Sequence, residues 1–80
     1  MATFIITHTH RPHECAIAMA AWRGFFSPLR HGRVLGSCAH GGHRVWWILQ
    51  ADSADAALAL LPEYVARRTT IEEVREVPLP

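Results

Sequence analysis

Residues 34–51, VLGSCAHGGHRVWWILQA, decide how this chain folds. The stretch is the longest apolar run and holds two of the three tryptophans. It is broken once, at Gly41-Gly42, between His40 and His43. Two β-forming runs joined by Gly-Gly predict a hairpin, because a two-residue primed turn needs the positive φ that glycine supplies. The second strand is then residues 33–40 and the third residues 43–51. A two-residue loop pairs His40 with His43, Cys38 with Val45, Gly36 with Trp47 and Val34 with Leu49. One face carries Val34, Gly36, Cys38, His40, His43, Val45, Trp47 and Leu49, and the other Leu35, Ser37, Ala39, Arg44, Trp46, Ile48 and Gln50. Both faces are largely apolar, so the sheet is expected to be covered on both sides. Two helices can cover only one. The Trp46/Ile48 face is therefore expected to meet another copy of the chain, as a homodimer or higher homo-oligomer.

Outward from the hairpin, residues 2–9 predict the first strand: Phe4, Ile5 and Ile6 are β-formers and Thr3, Thr7 and Thr9 are β-branched. With period two, Phe4, Ile6, His8 and His10 share a face. Pro12 is well placed at a first helical position, and Cys15, Met19 and Trp22 recur at helical spacing, so a helix is expected over 12–24, closed by Gly24. Ser53 is a good N-cap for a second helix striped by Leu58, Leu61 and Val65, which Pro62 kinks or restarts. Residues 69–77 predict the last strand. Ile71, Val74 and Val77 recur every three residues, which also fits a helix, but the topology favours a strand. The order β-α-β-β-α-β is that of a ferredoxin-like α+β sandwich: one domain over residues 1–80, with a four-stranded antiparallel sheet in the order 4-1-3-2 and two helices on one face.

Composition narrows the function. Eighty residues make a small core that a metal or oligomerisation often supplements. Half the residues are hydrophobic and 19% are charged, with a net charge of +1 and no basic run. Nucleic-acid binding wants a concentrated positive face and is not expected. The start MATFIITHTH lacks a basic region leading into a long apolar segment, so no signal peptide is expected, and no stretch has the length of a membrane span. Two cysteines without an export signal are read as thiols of a cytoplasmic protein.

With the hairpin and second helix placed, the C-terminal half resembles muconolactone isomerase and its relatives, the small dimeric α+β-barrel proteins. The resemblance rests on Gly42-His43 followed by an alternating strand ending Gln50-Ala51-Asp52, on Ser53-Ala54-Asp55-Ala56 opening a helix, on Leu61-Pro62, and on the terminal strand. Small uncharacterised bacterial barrels, some of which bind nickel, are similar too. The resemblance implies two sheets packed face to face in a dimeric barrel. It also implies an isomerase or a cofactor-free oxygenase, with His43 or His8 as general acid/base and no organic cofactor; histidine suits that role because its pKa lies near neutrality. Trp46 and Arg44 would then contact the ligand, the arginine holding a carboxylate.

The residues themselves point to metal chemistry. Five of the six histidines are clustered, in HTHRPHEC and CAHGGH. The topology brings these two segments to one edge of the sheet, so His8, His10, Cys38, His40 and His43 are expected to converge there, with His13 and Cys15 at the adjacent helix start. Imidazole and thiolate suit zinc, nickel or copper. Cys15, near a helix N-terminus, is the one candidate for a reactive thiol. Glu14 is the only acid nearby. Three functions follow: a metal- or small-ligand-binding module, an enzyme of the barrel type, or a structural module whose role is its assembly.

Overall fold

The computed structural model describes residues 1–80. Strand β1 (Ala2–Thr9) leads through a 3₁₀ turn (Pro12–Glu14) into helix α1 (Cys15–Ala21). A long irregular segment reaches β2 (Leu35–Gly36) and a second 3₁₀ turn (Cys38–His40), then β3 (Arg44–Ala51). Helices α2 (Ala54–Leu58) and α3 (Glu63–Ala66) precede β4 (Thr69–Val74). The four strands form one antiparallel sheet in the order β2-β3-β1-β4, the strand order expected from the sequence.

The period-two reading of β1 holds. Phe4, Ile6 and His8 are buried at 3%, 0% and 2% exposure, opposite Leu49, Trp47 and Val45 of β3. This face meets Ala57 and Val65 from the helices and Leu61 from the turn between them, and these three with Phe4, Ile6 and Ala51 form the core. The Ser53 hydroxyl accepts the Ala56 N–H at 3.0 Å and starts α2. Pro62 cannot continue a helix from the preceding turn and restarts it at Glu63. Residues 69–74 form a strand, so the three-residue apolar spacing there does not produce a helix.

Two expectations are corrected. The predicted helix over 12–24 is a 3₁₀ turn followed by a seven-residue α-helix, with Ala18 its buried residue and Met19 71% exposed. Alanine carries little apolar area to bury, so packing holds only two turns. The hairpin differs more. Strand β2 is two residues long; Leu35 pairs with Trp46 and Gly36 with Val45, instead of Gly36 with Trp47. The Gly-Gly pair is no two-residue turn, and His40 does not pair with His43. Instead Ser37 closes a wider loop: its N–H donates to the Arg44 carbonyl at 2.8 Å, and its carbonyl accepts from His40 and Gly42 at 2.9 Å each. Gly41 takes the left-handed φ of 84° that ends the 3₁₀ turn. Gly42 is needed for a different reason, since a Cβ there would lie 2.7 Å from the Ser37 Cβ. The slip is two residues, so face parity survives, and Leu35 remains on the side of Trp46 and Ile48.

Candidate metal centre

The convergence begins at the C-terminal end of β1. The His10 N–H donates to the His43 carbonyl at 3.1 Å, which ties the β1 exit to the start of β3. His43 itself is left-handed, with φ 53°, a conformation costly for a residue with a side chain. It directs the imidazole Nδ1 to within 3.2 Å of the Cys15 sulfur. Cys15 opens α1, and its Sγ lies 3.0 Å from His10 Nε2. Cys38, on the 3₁₀ turn, brings its Sγ to 3.5 Å from the same nitrogen. The four donor atoms of His10, Cys15, Cys38 and His43 all lie within 4.8 Å of one another. A tetrahedral zinc, with Zn–S near 2.3 Å and Zn–N near 2.0–2.1 Å, separates its ligand atoms by about 3.3–3.8 Å. The observed separations straddle that range.

Behind this cluster a hydrogen-bond chain sets the tautomer of His10. The Val65 carbonyl accepts from His8 Nδ1–H at 3.2 Å. A neutral His8 then carries its lone pair on Nε2, which accepts from His10 Nδ1–H at 3.0 Å. His10 Nε2 is left with its lone pair facing the two thiols, the form a metal requires. Burial, outweighing the hydrogen bond to Val65, holds the His8 pKa below the ordinary histidine value, so His8 is neutral at pH 7. His8 thus lies behind the donors. Replacing it by alanine removes the partner that orients His10, and metal affinity is expected to fall by about 10–100-fold with unchanged stoichiometry, as measured by competition with a chelator.

A second support lies on the other side of Cys15. Glu14 accepts from the Arg11 N–H at 2.8 Å, from the Tyr64 hydroxyl at 2.9 Å and from Arg68 Nε at 2.9 Å. The Arg68 guanidinium also lies 3.7 Å from the Tyr64 ring centre. These bonds pin the start of α1 to α3, and with it the Cys15 sulfur. Led by the Arg11 N–H, they lower the Glu14 pKa to about 2. A carboxylate whose folded pKa is depressed contributes its stabilisation fully above its unfolded value of 4.5, and loses it as pH falls toward 2. Glu14→Gln is therefore expected to destabilise the protein at pH 7 and to flatten the decline in stability between about pH 4.5 and 2, read by denaturant unfolding across that range. Glu14 makes no hydrogen bond to a histidine, so neither His8 nor His43 is oriented by a carboxylate in the manner of an acid/base pair. The Cys15 thiol pKa is raised, first by burial and then by the neighbouring Cys38 sulfur. A cation between the two sulfurs reverses that balance by stabilising both thiolates.

Of the residues singled out from the sequence, His10, Cys38 and His43 meet, together with Cys15. His8 stands behind His10. His40 and His13 are exposed and make no side-chain hydrogen bond. Trp46 and Arg44 lie on the opposite sheet face, away from the cluster. Cys15 as a donor is the residue that reading the expected strands did not single out. Its signal is the mirrored spacing His10-x₄-Cys15 and Cys38-x₄-His43.

A half-open cavity of about 330 Å³ adjoins the cluster. His8 and His10 line it together with Trp22, Trp47, Val45, Val65 and two cationic side chains, Arg23 and Arg30. Trp22 and Trp47 are tilted against each other with ring centres 5.9 Å apart. No helix is long and apolar enough to cross a membrane. No family model matches the chain, and no curated protein and no solved structure is significantly similar to it.

Proposed function

We propose that the protein binds one transition-metal ion through His10, Cys15, Cys38 and His43. The observation that carries this reading is the meeting of two thiols and two imidazoles, from two segments distant in sequence, within 4.8 Å. An S₂N₂ set suits zinc best among common cellular metals, while its soft sulfurs also accept Cu(I). Four protein donors complete a tetrahedron, which favours a held metal over one with an open catalytic position. His10, oriented through its Nδ1 by the bond to His8, supports the same reading. Elemental analysis of untagged protein after dialysis against zinc tests it: one zinc per chain is the expected result, and a chain that retains none contradicts it.

The cavity beside His10 favours a second, compatible role, the binding of a small apolar ligand next to the metal; its volume lies in the range of ligand pockets.

We also propose that the chain pairs with a second copy through its open sheet face, as a ferredoxin-like dimeric barrel. Leu35 and Ile48 are 74% and 72% exposed there, beside Ile5 and Trp46. Arg44 on β3, opposite Thr9, and Glu72 on β4, opposite Ile5, share this face, so a two-fold pairing can set one against the other. Light scattering is expected to give twice the chain mass for the native protein and the single-chain mass for Trp46→Asp. A monomeric native protein contradicts the pairing.

A further inference from the structure

We propose that Cys15 and Cys38 form a peroxide-sensitive pair whose oxidation to a disulfide releases the metal, a regulation that rests on the metal-site reading above. Both sulfurs approach one atom, His10 Nε2, at 3.0 and 3.5 Å. They lie within 4.8 Å of each other, although they come from α1 and from the loop before β3. Their accessibility differs in a useful way. Cys38 is exposed on a short 3₁₀ turn, whereas Cys15 is half-buried at the helix start. An oxidant therefore reaches Cys38 first, and Cys15 waits beside it as the resolving thiol, the arrangement of redox-sensing cysteines.

The turn that bears Cys38 can move without disturbing the core. It has no buried residue, and it is held through backbone bonds to Ser37. A disulfide needs its sulfurs about 2.05 Å apart, a closure within reach of side-chain rotation and a small shift of that turn.

The step balances with hydrogen peroxide as the oxidant. The Cys38 thiolate attacks one peroxide oxygen, the O–O bond breaks, and hydroxide leaves, giving a sulfenic acid. The Cys15 thiolate then attacks the Cys38 sulfur; the Sγ–Sγ bond forms as the S–O bond breaks and a second hydroxide leaves. Two protons from solvent convert the hydroxides to water. The two sulfurs lose two electrons, peroxide gains them, and the metal keeps its charge. A disulfide offers no thiolate, so only two imidazoles remain and the ion departs.

The test uses zinc-loaded protein treated with stoichiometric hydrogen peroxide, with zinc release followed by a colorimetric chelator and the chain followed by intact mass and peptide mapping. The expected result is one zinc released per chain, a mass lower by about 2 Da from loss of two hydrogens, and a Cys15–Cys38 linked peptide; dithiothreitol restores one bound zinc. Release accompanied by added oxygen atoms, a disulfide joining two chains, or retention of zinc with both thiols free overturns the inference. The metal-free chain, treated in parallel, separates the two claims. Failure to bind zinc contradicts the metal site, and absence of the linked peptide in both forms contradicts the thiol pair. Cys38→Ser is expected to lose the linked peptide, and a mass lower by 2 Da in that variant would also contradict the pairing.

Discussion

Saturating zinc raises the thermal midpoint of the metal-free chain by roughly 10–20 °C. The core is small: ten of 80 residues are buried, and the largest fully buried side chains are Ile6 and Val65. A chain of this length hides a modest share of its surface and is marginal unaided. Such a site would hold the metal only in the folded chain, because its donors come from the residue after β1, the start of α1, the 3₁₀ turn and the residue before β3, which are together only after folding. Ligand at about 100 times its dissociation constant adds about 2.7 kcal/mol, and each kcal/mol moves the midpoint of a domain this size by about 4–8 °C. Scanning calorimetry or circular dichroism, with and without zinc, measures the shift. An unchanged midpoint would mean that the four residues do not hold the ion in the folded state.

Cys15→Ser lowers zinc affinity by more than about 100-fold, a larger effect than loss of the supporting His8. The substitution removes a thiolate and leaves a hydroxyl, which is a poor zinc donor at neutral pH. Cys15 contacts both His10 and His43, so it is the centre of the cluster. Its packing is spared by the near-isosteric swap, and Glu14 still pins the helix start through Tyr64 and Arg68. His40→Ala, one of the histidines flanking Gly41-Gly42, is the control. His40 is exposed outside the four donors, and its loss leaves zinc affinity unchanged. Competition against a chelator of known affinity separates the two variants. Equal losses in both would place the ion elsewhere on the histidine-rich edge.

The sheet was legible from alternation alone. Phe4, Ile6 and His8 against Val45, Trp47 and Leu49 define one face through their spacing, and a two-residue register error in the hairpin leaves that face intact. The loop was not legible. Gly41-Gly42 between apolar runs reads as a tight primed turn, yet Ser37 gathers the backbone of residues 37–42 into a 3₁₀ turn that shortens β2 to Leu35–Gly36. Side-chain and carbonyl bonding by one serine outweighed glycine's turn preference, and nothing in the local pattern announces it. The same loop governs the site. An extended strand would carry Cys38 and His40 alike on the face of His43. The 3₁₀ turn separates them, bringing Cys38 to His10 and leaving His40 in solvent. Cys15 becomes a partner because the residues after Thr9 turn through Pro12–Glu14 at once, folding the helix start back against His10.

Titration of the metal-free protein with cobalt(II), a spectroscopic stand-in for zinc, reads out the four-donor site itself. Saturation is expected at one ion per chain, with the intense visible bands of tetrahedral cobalt and thiolate-to-cobalt charge transfer that is lost in the Cys15→Ser, Cys38→Ser double variant. A weak spectrum typical of six oxygen or nitrogen donors, or charge transfer that survives the double substitution, would contradict it.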